Sequence, residues 1–302
     1  MASNSTNPNA SEQERPRSLW RRFRNYWSMT KSLQTLLLLI TGLAGYSSTK
    51  CPVMNIPSFL AVAGSLFLSI SGSTVLNMWC DRDIDAKMDR TCWRPLPAGD
   101  VEPREALYLG LVLTVLGVGW ALSIDLLYGL IVLAGLFFDV VIYTIWLKRR
   151  TPWSIVWGGL AGGMPVLAGR ALGIGHVDIV GILLMLAVLF WIPTHILTFN
   201  MRYFEDYKRA RVPTFPSNYG YTMTRRTVAL SSLLAVLAIG FSAIGIGMAL
   251  GGMRLLLALS VGLIALAVIS LLRPSDRLNF GLFKYASLYM LCSMLLLVIE
   301  GF

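Results

Sequence analysis

Nine apolar stretches, each about as long as a bilayer is thick, constrain this chain more than any other feature. They run over roughly 33–49, 58–80, 105–123, 125–146, 153–172, 178–200, 227–250, 253–272 and 280–299. A hydrocarbon core of about 30 Å takes about 20 residues of helix, whose backbone polar groups must bond within their own segment. The stretches are continuous rather than alternating, which excludes a closed β-barrel. With 55% hydrophobic and 14% charged residues among 302, the expectation is an all-α polytopic membrane protein. Residues 31–302 form one domain of nine transmembrane helices, and residues 1–30 form a leader.

A net charge of +10 could suggest a nucleic-acid partner, but its placement argues against one. All but Lys50, Arg170 and Arg254 of the 26 Lys and Arg fall on the same side of the alternating spans. The positive-inside bias then puts the amino terminus and the long connections in the cytoplasm. Within the leader, 1–14 are Ser, Asn and Pro-rich and are expected to be disordered. From Leu19 to Met29, Trp20, Phe23 and Trp27 recur at helical spacing between arginines, the pattern of a helix lying on an anionic membrane surface. Cysteines 51, 80, 92 and 292 show neither metal nor disulfide spacing, and Cys80 and Cys92 read as packing residues.

Two connections are long, about 81–104 and 201–226, and both are cytoplasmic. This places the working face, and the mouth of a central cavity, at the cytoplasmic boundary. Each opens with acids, Asp81 and Asp85 in the first, Glu205 and Asp206 in the second. They lie four helices apart, as after a diverged duplication.

Asn77, Asp81, Asp85 and Asp89 are each four apart and would share one face of a helix. Stacked carboxylates repel, the more so where water is scarce, unless a cation sits among them. Oxygen donors without Cys or His suit Mg²⁺, usually shared with a substrate's phosphates. Behind them, Arg90 and Arg94 can fork onto phosphate oxygens, and Lys148, Arg149 and Arg150 add charge from the next cytoplasmic loop. His195 follows Pro193 inside an apolar run, either a structural residue or a contact to ligand or substrate. Asp139 is a second intramembrane ionisable group, open to pairing with a cation across the cavity or to binding a polar group of a substrate.

These residues resemble the UbiA superfamily of intramembrane prenyltransferases, and within it the branch of protoheme IX farnesyltransferases. Asn77-x-x-x-Asp81-x-x-x-Asp85 is similar to the superfamily's first metal–diphosphate motif. The fuller wording from Asn77 to Thr91, Tyr143-Thr-Ile-Trp-Leu-Lys-Arg-Arg-Thr-Pro152, Gly158-Gly159 and Asp206-Tyr207-x-x-Ala210-x-x-Pro213 resemble the haem branch. Departures gather on the acceptor side: Lys31-Ser32 for Lys-Pro, Trp93 for Asn, Ser154 for Asn, and Thr194-His195-Ile196-Leu197 for Pro-His-Phe-Trp.

The resemblance implies a UbiA-like helical bundle in the cell (inner) membrane. It implies Mg²⁺, with Mn²⁺ as a substitute, on Asn77, Asp81, Asp85, Asp206 and Glu205. Catalysis would fall to Asp81, Asp85, Arg94 and Lys148, and diphosphate binding to Arg90, Arg94, Lys148 and Arg149. His195, Asp139 and Tyr143 would meet the acceptor. The implied reaction transfers a farnesyl group from its diphosphate to haem B, giving haem O. The same chemistry on a quinone precursor, chlorophyllide or lipid alcohol is the alternative. A cation-coupled transporter is a third reading, disfavoured because the acids sit at one face and not at the midplane.

Overall fold

A computed structural model describes residues 19–49 and 56–300. Every regular element among them is helical. α1 (Leu19–Met29) and α2 (Ser32–Ser47) are followed by α3 (Ile56–Asp85), α4 (Pro103–Ile124) and α5 (Leu126–Leu136). α5 passes into a π-helical stretch, Phe137–Leu147. Then come α6 (Ser154–Ile174), α7 (Ile179–Arg202), the short α8 (Phe204–Arg209), α9 (Phe215–Ile246), α10 (Leu250–Leu272) and α11 (Asp276–Glu300). Eight of these spans are long and apolar enough to cross a membrane. The expected count of nine is not met on that measure among the described residues, because the first span, α2, has 16 residues. The expected disorder of 1–14 lies outside the described residues.

Consecutive helices pack against one another, and α11 returns to both α7 and α2. One apolar core joins α7, α9 and α11, centred on Leu184, Leu197, Ile239 and Tyr289. A second joins α3 to α6 around Leu66, Tyr128 and Ala168. In a bilayer, such packing is driven by close backbone approach rather than by exclusion of water. Gly45 of α2 and Gly169 of α6 provide it, since a Cβ at either would collide with a carbonyl oxygen of the other helix.

Charges at the membrane faces are paired where they are buried. Arg170 is buried and forks onto Asp178 at 2.8 Å while donating to Ser48. Asp178 in turn accepts from Gly181 N at the start of α7. An unpaired guanidinium there would carry a large desolvation cost. On the opposite face, α1 shows Trp20, Phe23 and Trp27 outward. Its polar side is tied down through Arg21–Asp100 at 3.0 Å and Arg22–Glu105 at 2.9 Å. α1 is therefore a strap across the first long connection.

The long connections form a cap. Ile84 and Met88 of the first pack on Ala210 and Val212 of the second, with Tyr207 beside them. α3 ends at Asp85, so the four-residue ladder of acids covers positions 77, 81 and 85 and breaks before Asp89. A turn of Ala86-Lys87-Met88 swings Asp89 outward to an exposed position. Cys92 is also exposed, which corrects its reading as a packing residue.

Candidate active site

α3 carries its apolar length across the membrane and delivers Asp81 and Asp85 to the rim that the long connections cap, both buried. Each meets a cation from a different segment. Lys148 Nζ donates to Asp81 Oδ2, and Arg94 donates to Asp85 Oδ2 at 2.7 Å. Pro95 and Pro97 close the turn that brings Arg94 back, and Thr91 Oγ1 donates to the Asp85 carbonyl at 2.9 Å.

The π-helical stretch explains how Lys148 reaches Asp81. Lys148 N donates to Tyr143 O, five residues back, at 2.8 Å. The wider turn rotates Lys148 relative to an α-helical continuation, an arrangement frequent at functional sites. Tyr143 lies under the ammonium at 5.6 Å, and Gly158 leaves room for that ring, since a Cβ there would stand 3.3 Å from it. Burial works against the Lys148 charge, but Tyr143 and Asp81 outweigh it and hold its pKa above the ordinary lysine range.

Asn77 and Asp139 are brought together rather than apart. Asn77 Nδ2 donates to Asp139 Oδ2 at 2.8 Å, Ser73 Oγ donates to the same oxygen at 2.5 Å, and Thr144 donates to Asn77 Oδ1 at 2.6 Å. Asp139 makes no ion pair among the described residues, so the expected pairing with a cation across the cavity does not form. Ser73 and Thr144 escaped the sequence reading, because their partners are more than sixty residues away along the chain.

The second acidic segment is built differently. Asp206 is buried and Glu205 exposed on α8. Arg209 bridges Asp206 Oδ1 and Asp89 Oδ2, each at 2.5 Å, which ties the second connection to the first. The exposed Asp89 is held below the usual carboxylate range by Arg209. Beneath this bridge is a chamber of about 770 Å³ whose walls include Asp89, Arg90, Arg202, Tyr203, Glu205 and Asp206. Arg149 is not part of either cluster. It turns outward to grip Asp83 at 2.6 Å and 2.7 Å on the exposed side of α3. Its hydrogen bonds to Asp83 raise its pKa.

Lys31 joins the site although the sequence shows it only as one more cytoplasmic charge. It adopts a left-handed backbone, φ 44° and ψ 57°, at the start of α2, a strained conformation for a residue with a side chain. Burial, then the charges of Arg94 and Lys148, push its pKa down to about 8, while Asp85 and Asp81 act the other way. The signal was a conformation, which residue type alone does not reveal.

His195 projects from α7 between two rings, Trp191 at 4.9 Å and Phe283 at 4.5 Å. Its Nδ1 lies 3.0 Å from Ser287 Oγ of α11. Pro193 just before it removes one backbone donor from the helix.

No three His, Cys, Asp or Glu side chains converge into a metal cage among the described residues. The donors nonetheless suit a hard divalent cation shared with a ligand. Asp81 Oδ1 is buried without a hydrogen-bond partner, and every candidate donor is an oxygen.

Residues 38–288 match the UbiA prenyltransferase family. The chain is 46% identical to a protoheme IX farnesyltransferase of Archaeoglobus fulgidus over 188 residues, covering 62% of this chain and 66% of that one. It is 38% identical to the protoheme IX farnesyltransferase of Pyrobaculum arsenaticum, covering 87% of this chain and 94% of that one. Among solved structures, a digeranylgeranylglyceryl phosphate synthase superposes with a TM-score of 0.76 at 20% identity, covering 93% of this chain and 98% of that one. A UbiA homologue from Archaeoglobus fulgidus bound to GPP and Mg²⁺ superposes with a TM-score of 0.66 at 17% identity, covering 90% and 99%.

Proposed function

The chain belongs to the UbiA prenyltransferase family, and from that premise we propose that it transfers a farnesyl group from farnesyl diphosphate to haem B, giving haem O. The observation that carries the donor side is the pair of buried carboxylates, Asp81 and Asp85, each set against its own cation. The acceptor is supported by the relatives that bear the name protoheme IX farnesyltransferase, one of them matched over 94% of its length.

In this reading Asp81 and Asp85 hold Mg²⁺ for the donor, with Asp206 and Glu205 facing it from α8 and Mn²⁺ able to replace it. Bound there, the metal supplies charge neutralisation to a diphosphate leaving group. Asn77 keeps its amide on Asp139 and Thr144, and so fixes the register of α3 against the π-helical stretch. Lys148 and Arg94, held in place by those carboxylates, face the diphosphate oxygens as negative charge grows on them, and Lys31 adds a third cation. Preorganised charges of this kind reduce the reorganisation needed when the C–O bond breaks. The allylic carbon then bonds to the terminal vinyl carbon of the acceptor, with the surrounding apolar walls keeping water from the allylic cation until that bond forms. Water then adds to the cationic carbon beside the ring and loses a proton, so that haem B, farnesyl diphosphate and water give haem O and diphosphate. His195 of α7 would meet the acceptor, while Tyr143, beneath Lys148, lies between the acceptor and the diphosphate-binding cations. The amino terminus and the cap face the cytoplasm, in the cell (inner) membrane.

The test is a reconstituted assay with farnesyl diphosphate, Mg²⁺ and either haem B or a quinone precursor. Formation of haem O supports the reading. Turnover of the quinone precursor alone would replace haem as the acceptor.

A further inference from the structure

Resting on that reading, we propose that the aromatic seam between α7 and α11 is the seat of the tetrapyrrole, with His195 Nε2 on its iron and Arg202 on its carboxylates. The first argument concerns a single hydrogen. Ser287 Oγ lies 3.0 Å from His195 Nδ1 and 3.0 Å from the Phe283 carbonyl. A carbonyl can only accept, so the hydroxyl hydrogen belongs to that bond, and the serine oxygen accepts from the imidazole. Nδ1 therefore carries the ring proton, and Nε2 keeps its lone pair. This is how a metal-binding histidine is held: one nitrogen donates to a protein oxygen and the other is left for the metal. Stacking on Trp191 and Phe283, at interplanar angles of 28° and 27°, fixes the plane of the ring.

The second argument is the path from this ring to the cytoplasmic rim. Phe283 stacks on Phe280 at 7° with ring centroids 5.8 Å apart. The Arg202 guanidinium lies 4.1 Å above Phe280. Arg202 stands seven residues after His195, two helical turns or ~10.5 Å along the same face of α7. That span is of the order of the distance from the centre of a porphyrin to its propionate carboxylates. Facing it, Arg90 lies 4.8 Å over Phe199 and 5.6 Å over Tyr203, its Nε buried without a partner.

The third argument is charge. Lys148, Arg94, Arg149 and Arg209 each rest on a carboxylate. Arg90 and Arg202 make no ion pair among the described residues, and both line the same chamber. Arg209 bridges two of that chamber's acids, Asp89 and Asp206, and balances one of their two charges. Glu205 and Asp276 complete its acidic wall. Two unspent guanidinium groups on aromatic shelves suit an anion with a flat apolar body, bound by forked hydrogen bonds to ionised carboxylates.

The experiment uses the full-length protein in detergent with Mg²⁺ and measures three ligands by visible absorbance: haem B, haem B dimethyl ester and metal-free protoporphyrin IX. Wild type should bind the diacid at least tenfold more tightly than the ester. Arg202→Gln should bind the two with nearly equal affinity while keeping its affinity for farnesyl diphosphate. Comparing the diacid-to-ester ratio between wild type and variant cancels the ester's greater partition into detergent. His195→Ala should lose the ligated Soret shift with haem B and bind metal-free protoporphyrin IX as wild type does. Equal affinity of wild type for diacid and ester, or a preference that survives Arg202→Gln, would overturn the carboxylate assignment. An unchanged haem spectrum in His195→Ala would overturn the iron assignment. If farnesyl diphosphate binds and no tetrapyrrole does, the haem reading itself fails, and this site with it.

Discussion

Asp81 and Asp206 are both buried aspartates on the same rim of the bundle, yet the molecule supports them in unlike ways. Asp81 lies near the end of a 30-residue helix anchored across the membrane, and it has a cation of its own in Lys148. Asp206 sits on a six-residue helix and shares Arg209 with the exposed Asp89. In the first cluster each carboxylate is matched one to one with a cation. The second is a bridge between two loops that can release one carboxylate and keep the other. A site that must meet a leaving charge without reorganising is better built on the first, and a site that must open for entry on the second.

The comparison breaks most visibly at Asp81. Asp81→Asn should lower kcat/KM by about 10³-fold, or ~4 kcal/mol, with every acceptor, because the diphosphate charge is common to all of them. Chelation by EDTA should abolish turnover in the same way. Residual activity near wild type in either assay would remove the amino-terminal cluster from the chemistry.

Asp206→Asn should cost less, about tenfold in kcat/KM, since Arg209 retains Asp89 and the first cluster stays whole. A loss as large as that of Asp81→Asn would make the two clusters equal partners and dissolve the contrast.

A smaller effect should follow pH. Lys31, lowered to about 8, is charged below that pH and neutral above it. Facing it are the charges of Arg94, Lys148, Asp85 and Asp81. As pH rises through 8 the site loses one positive charge, so kcat/KM for the diphosphate donor should fall several-fold between pH 7 and 9. Lys31→Met should sit at the high-pH level throughout. A profile unchanged by that substitution would place the titration elsewhere.

The least effect belongs to the outward pairs. Asp83→Ala and Asp89→Ala break exposed ion pairs, each worth ~1 kcal/mol or less, and should leave turnover within about twofold. A larger change at Asp89 would mean that the Arg209 bridge governs the cap.

Much of this was legible in the sequence because membrane spans and loop charges obey one-dimensional rules. The apolar stretches gave the order of the helices, and a helix emerged at Leu19–Met29 where the aromatic spacing implied one. Asp81 and Asp85 were found by four-residue spacing, since both lie on one continuous helix. The same rule failed at Asp89, where the chain leaves the helix and the period ceases to apply. Asn77 shares that spacing on the same helix, but its partners could not be read from it, because its amide answers to Asp139 and Thr144 on a π-helical turn with a different period. Lys31 and Ser287 depend on contacts across the fold, and neither belongs to a motif that spacing could expose.

The division of labour between the two halves can be measured in one experiment. Equilibrium binding of farnesyl diphosphate with Mg²⁺, and separately of haem B, should be compared for Asp81→Asn and His195→Ala. The expected pattern is crossed: Asp81→Asn loses the diphosphate and keeps haem, while His195→Ala loses haem and keeps the diphosphate. If either substitution removes both ligands, or if the losses fall the other way, donor and acceptor are not held by separate halves.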